Sequence, residues 1–214
     1  MFFDDDVTFA EDFLSRARAL IELPEMRDVG GMSGYDTRNY GQPVSLRWRL
    51  RSRLKIVPEL NPGAIDRLGR SIPFSLVQPF SGCKPVGYLY GFCMFYRREA
   101  IAGLRFDEEL PTYAGEDRDF SSRVARRWRL VLCGDLSIEH HCAPESRDTS
   151  VQRTYQAGFG TGRSLRRNAS MPSDYLEFLR VLTGEFFVDT MALLRAPTRE
   201  KAMMPFARAG GLMA

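Results

Sequence analysis

The chain opens on an apolar stub that runs straight into three carboxylates, "MFFDDDV" over residues 1–7. Adjacent like charges destabilise the segment that carries them unless a cation neutralises them. "MFF" therefore reads as the end of a buried strand that breaks at an acidic loop. The following "TFAE" has the spacing of a capping box, with Thr8 as N-cap and Glu11 reaching back. Phe13, Leu14, Ala17, Leu20 and Ile21 then recur at helical intervals, and Pro24 marks the stop. "RDVGGMSGY" reads as a short strand entering a glycine turn. Strand, acidic loop, helix and strand make an α/β unit with carboxylates at the carboxyl end of its first strand. Open α/β sheets bind their ligands at that edge.

Further along, "LRWRLRSRLKI" alternates Arg47, Arg49, Arg51, Arg53 and Lys55 with apolar residues. A period of two predicts a strand with one cationic face, either a charged edge strand or a surface for an anionic acceptor or lipid headgroup. Residues 61–84, with Pro62 and Pro73, read as loop-rich. "VGYLYGFCMFYRREAI" predicts an apolar strand carrying Gly87 and Gly91 and then a short helix. "FDEELPTYAGEDRDFSSRVARRW" is a loop leading into a helix, with Phe120, Val124 and Trp128 at i, i+4 and i+8. "LVLC" and "LSIEHH" read as two short strands, the second ending on histidine. Residues 143–214 read as helical, basic between Arg147 and Arg167, and loosely attached at their glycine-rich end.

The formal net charge of +3 calls for no nucleic-acid partner, and none is expected. No run of about 18 uncharged apolar residues exists to span a bilayer. The nearest, "YLEFLRVLTGEFFVDTMALL", carries Glu177, Arg180, Glu185 and Asp189 and reads as an amphipathic or core helix. The acidic N-terminus lacks the pattern of a secretory leader. Cys83, Cys93, Cys133 and Cys142 are accordingly expected as free thiols in a reducing cytoplasm.

Three polar clusters stand at the ends of expected elements: Asp4-Asp5-Asp6, Glu116-Asp117 and His140-His141. Carboxylates with an imidazole suit a hard or borderline divalent cation such as magnesium or manganese. In order, these clusters and the segments around them resemble the family 2 glycosyltransferases of the GT-A fold. The pieces are Asp4-x-Asp6 after an apolar strand, Gly91 to Arg98, Phe106-Asp107-Glu108, Gly115-Glu116-Asp117 with Arg123, and His140. The resemblance covers about residues 1–150.

It implies an inverting, metal-dependent transfer of a sugar from a nucleotide-diphosphate donor to a saccharide or lipid-linked acceptor. By the same resemblance Asp6 and His140 hold the metal, and Asp4 faces it or the nucleotide ribose. Asp5 and Gly91 border the donor, Asp117 is the catalytic base, and Glu116 orients the acceptor. The fold expected is an α/β, incomplete GT-A fold lacking its first βαβ units. The first βαβ units are expected to be lacking because the family carries a nucleotide-binding half ahead of the D-x-D strand, and a helical extension over 151–214 follows the core. The resemblance also allows a basic C-terminal region that closes over the diphosphate or leans on the cytoplasmic face of a membrane.

Two other readings stay open. "DDDVT" satisfies the D-x-D-x-[TV] start of the haloacid-dehalogenase-like phosphatases, with Asp4 as nucleophile and "GEDRD" as a magnesium loop, although Val7 stands where a glycine is usual. The chain also fits a glycosyltransferase remnant that binds without turning over.

Overall fold

Val29–Asp36 forms a strand, β3, buried along its whole length, and it runs parallel to Arg129–His140, β6. The computed structural model describes residues 1–57, 61–66, 68–110, 115–142 and 149–214, except for the side chain of residue 47. Four shorter strands complete a mixed six-stranded sheet: β1 (Phe2–Phe3), β2 (Val7–Phe9), β4 (Cys83–Val86) and β5 (Cys93–Tyr96). The order is β1-β5-β3-β6-β2, and β4 also pairs with β6. All pairings except β3–β6 are antiparallel. The α/β class is as expected.

Helices pack on this frame. Phe13–Ile21 is α1, whose buried Phe13 and Ala17 face the sheet. Glu116–Ala125 is α3, whose Phe120 and Val124 pack with Met94 and Leu130. Arg97, just past β5, ties three elements together. Its guanidinium donates to the carbonyls of Val29, Ile21 and Met26.

Several local expectations change once neighbours are present. Thr8 is not a helix cap but lies in β2, because the end of β6 offers an open edge that pairs Val7 with His140 and Phe9 with Ile138. Helix α1 starts after Asp12 instead. "LVLC" and "LSIEHH" are one strand, β6, whose pairing with β3 slips between Gly34 and Tyr35. The helix expected after Arg98 is a run of turns. Trp128 lies beyond α3, in the turn before β6.

The cationic "strand" is a helix, α2 (Leu46–Arg53). Among the described residues no strand lies beside it to satisfy an extended backbone. The Ser45 hydroxyl accepts a hydrogen bond from the Trp48 amide at 3.3 Å, which starts the helix. Leu46, Leu50 and Leu54 match helical spacing as well as they match alternation.

Ser150–Asn168 (α4), Pro172–Arg195 (α5) and Arg199–Met213 (α6) follow. The Gly-rich end is not loosely attached, because α4 and α6 pack backbone to backbone. A Cβ on Gly158 or Gly162 would sit 2.6 Å from the carbonyl oxygen of Arg208 or Leu212, so only small residues allow this approach. Nor is α4 a solvated basic helix: Arg163 pairs with Asp107 and Glu109, and Arg167 pairs with Asp107 and Asp119. Arg147, the expected start of that basic stretch, and the boundary segment 143–148 lie outside the described residues.

The cysteines also depart from expectation. Cys83 and Cys133 are joined in a disulfide across directly opposed positions of β4 and β6. Fifty residues separate them in sequence, so only the strand register reveals the pair. Cys93 is buried, and burial pushes its thiol up to about 11. In the denatured, unreduced chain a thiol-alkylating reagent will label Cys93 and Cys142 only, and reduction will expose the other two. Mass spectrometry of the labelled peptides reads this directly.

Candidate metal and carboxylate site

The β1–β2 turn carries the acidic triplet, and strand pairing fixes where its side chains go. The Asp4 amide donates to the Phe92 carbonyl at 3.4 Å, and the His141 amide donates to the Asp6 carbonyl at 2.9 Å. These two bonds stitch the turn between the loop before β5 and the end of β6. Asp4, Asp6 and His140 consequently offer ligand atoms that all lie within 4.8 Å of one another. His140 Nε2 stands 3.2 Å from Asp6 Oδ1. Asp5 is exposed and outside the group.

Only one of the two histidines is available. The His140 ring stacks on Phe92, with centroids 4.6 Å apart, which turns its Nε2 toward Asp6. His141 is engaged on both nitrogens. Arg38 Nη1 donates to Nδ1 at 2.7 Å, and Nε2 meets the Thr8 hydroxyl at 2.7 Å. A guanidinium can only donate, so Nδ1 of His141 accepts from Arg38 and leaves Nε2 to the Thr8 hydroxyl.

A second layer holds His140 from behind. Asp36, buried at the end of β3, accepts from the amides of Arg38 and Asn39 and from the side-chain amide of Asn39. The same Asn39 amide donates to the His140 carbonyl at 2.7 Å. Sequence reading missed Asp36, Asn39 and Phe92. The one available signal was Asp36 at the end of the glycine-rich strand, since nothing local ties it to residues about a hundred positions away.

Glu116 and Asp117 come from the N-terminal turn of α3. Gly115 precedes them at φ +89°, a left-handed conformation that favours glycine. Asp117 Oδ2 accepts the Gly91 amide at 3.1 Å, and Oδ1 accepts the Arg118 amide at 2.7 Å. Gly91 thus holds Asp117, while Phe92 beside it holds His140. One short segment links the two carboxylate groups.

The electrostatics follow from this crowding. Burial raises the Asp4 carboxyl above its ordinary value. Asp6, Asp5 and Glu116 push the same way, and His140 opposes them. Asp117 is also raised, chiefly by the protein around it and then by Glu116, against the pull of Arg118 and its two backbone bonds. Two carboxylates and an imidazole this close form a donor set that fits a divalent cation such as manganese or magnesium.

A cavity of about 420 Å³ lies on the other side of α3, between it and helices α4 and α5. Gly115 and Arg118 border it, but Asp4, Asp6, Asp117 and His140 do not. Asp107, part of the expected motif series, anchors α4 through Arg163 and Arg167 rather than meeting the acidic group.

No family model matches the chain, and no curated protein and no solved structure matches it either.

Calorimetric titration with manganese will detect one site in the intact chain. Asp6→Ala and His140→Ala will each weaken it at least about tenfold, while His141→Ala, outside the cluster, will stay within about threefold. Equal losses for the two histidines would overturn the assignment.

Proposed function

We propose that this protein is an inverting, metal-dependent glycosyltransferase of the family 2 type on a GT-A fold. It moves a sugar from a nucleotide-diphosphate donor to the hydroxyl of a saccharide or lipid-linked acceptor. The supporting observation is the convergence of Asp4, Asp6 and His140, with Asp117 tied to the same short segment through Gly91.

In this reading Asp6, Asp4 and His140 hold a divalent cation, which when bound supplies Lewis-acid stabilisation of the leaving diphosphate. Asp5, exposed beside them, borders the nucleotide. The acceptor hydroxyl attacks the anomeric carbon as the bond from that carbon to the diphosphate oxygen breaks. Asp117 takes the hydroxyl proton, and Glu116 orients the acceptor. A carboxylate offers about four lone-pair positions. The Gly91 and Arg118 amides occupy two on Asp117, which leaves capacity for a substrate hydroxyl.

A phosphatase with Asp4 as nucleophile leaves the imidazole of His140 without a role, and no contact favours it. A remnant that binds without turning over is separated by the assay below.

The test is a screen of sugar nucleotides for manganese-dependent release of nucleoside diphosphate in the presence of saccharide and lipid-phosphate acceptors. Asp117→Asn should lower transfer by about 10²–10⁴-fold while sparing donor binding, because only the proton acceptor is lost. Near-normal transfer in that variant would remove Asp117 as base. Donor binding without transfer in the wild type would favour the remnant.

The raised Asp117 carboxyl fixes the sign of the pH response. A base must be ionised, so the rate will rise with pH through a pKa above the ordinary aspartate value of 3.8 and be lost below it. The acid limb of kcat/KM measures this.

A further inference from the structure

Helix α5 is inside out. Its acids face the protein: Glu177 meets Arg70, Glu185 meets Arg51, and Asp189 meets Arg208, while Asp174 is fully buried. Its large apolar side chains face outward. Leu176 is 69 % exposed, Phe187 63 % and Leu194 71 %, with Tyr175, Leu179 and Phe186 similarly open. A water-facing helix has the opposite arrangement.

Helix α2 continues the pattern. Leu46, Leu50 and Leu54, at i, i+4 and i+8, are all exposed, and exposed Arg49 and Arg53 are interleaved with them. The two helices touch. Arg51 pairs with Glu185, Arg180 donates to the Lys55 carbonyl, and Ile56 packs on Gly184. No acidic residue occurs between Thr37 and Pro58. Arg49, Arg53 and Lys55 form no ion pair among the described residues. The outward surface of this helix pair therefore combines leucine and phenylalanine with uncompensated cations.

We infer that the joined outer faces of α2 and α5 dock on an anionic lipid surface. Apolar side chains enter the acyl boundary while Arg49, Arg53, Lys55 and Arg195 meet lipid phosphates, the division of labour of an interfacial helix. Among the described residues no helix is long and apolar enough to cross a membrane, so the contact is peripheral. A second copy of the chain fits worse, since a twofold contact across α2 sets arginine against arginine. Trp48, Phe178 and Leu182 on the inner faces of the same helices, with Ile56 just past α2, line the cavity that reaches Arg118. Docking would hold that cavity next to the bilayer. Nothing in this surface depends on the chemistry assigned to Asp4, Asp6 or Asp117.

The experiment is co-sedimentation of the full chain with phosphatidylglycerol–phosphatidylcholine vesicles and with phosphatidylcholine vesicles alone. Sedimentation in parallel with analytical ultracentrifugation reports self-association, and circular dichroism checks that each variant is folded. The chain will bind the anionic vesicles and bind the neutral ones far more weakly. Leu50→Asp with Leu179→Asp will abolish binding. Arg49→Gln with Arg53→Gln will weaken it about thirtyfold, the loss expected for two surface cations. Failure to bind anionic vesicles, equal binding to neutral ones, or binding indifferent to both variants would overturn the inference. So would a dimer that the leucine variant dissociates in a chain that ignores lipid, which assigns the face to a second copy.

Discussion

The parallel pairing of β3 with β6 is the constraint on which the rest of the structure depends. β3 is buried along its full length, and a buried strand must satisfy every amide and carbonyl through its neighbours. β6 pairs with β3 along one edge, β5 takes part of the other, and the far edge of β6 stays available for further strands. The opposite edge of β6, near its carboxyl end, accepts β2 and so draws the acidic turn against His140. β4 joins the same strand and brings Cys83 opposite Cys133. Remove the pairing and the acidic turn, the histidine and the disulfide lose their common support.

The acidic group is a local conflict that the fold tolerates. Asp6, Asp5 and Glu116 each repel Asp4, and partial shielding of its carboxyl from water makes that repulsion more costly. Buried or crowded charges without compensation are disfavoured in a structure selected for stability alone. Their persistence beside an imidazole held by Asn39, Phe92 and neighbouring backbone is therefore informative about function. A cation would relieve the conflict. The arginines of α4 act differently, since each of Arg163 and Arg167 bridges two acids and joins α4 to α3 and the loop ahead of it. Basic residues that read in sequence as a surface feature are here used for internal attachment.

How far the sequence could be read depended on how local the deciding interaction was. The start of α3 was legible because glycine and acidic residues before an apolar helical stripe act within one turn. The clusters Asp4–Asp6 and His140–His141 could be located, since each ends an expected element, and the family resemblance singled out Asp4, Asp6 and His140 within them. The alternating arginine segment misled because leucines at 46, 50 and 54 satisfy both periods, and only the lack of a pairing strand among the described residues and the Ser45 cap select a helix. Thr8 misled for the converse reason: its capping pattern is sound in isolation but loses to an available sheet edge.

What the sequence determined by itself was the set of local preferences: an α/β alternation, an acidic turn after an apolar stub, and a glycine with acids opening α3. These follow from backbone sterics and side-chain pattern over a few residues. Tertiary structure alone decided that Cys83 pairs with Cys133 and that α5 turns its acids inward. Each of these is a choice between chemically equivalent residues or faces. It is made by partners far away in the chain, whose positions no local pattern encodes.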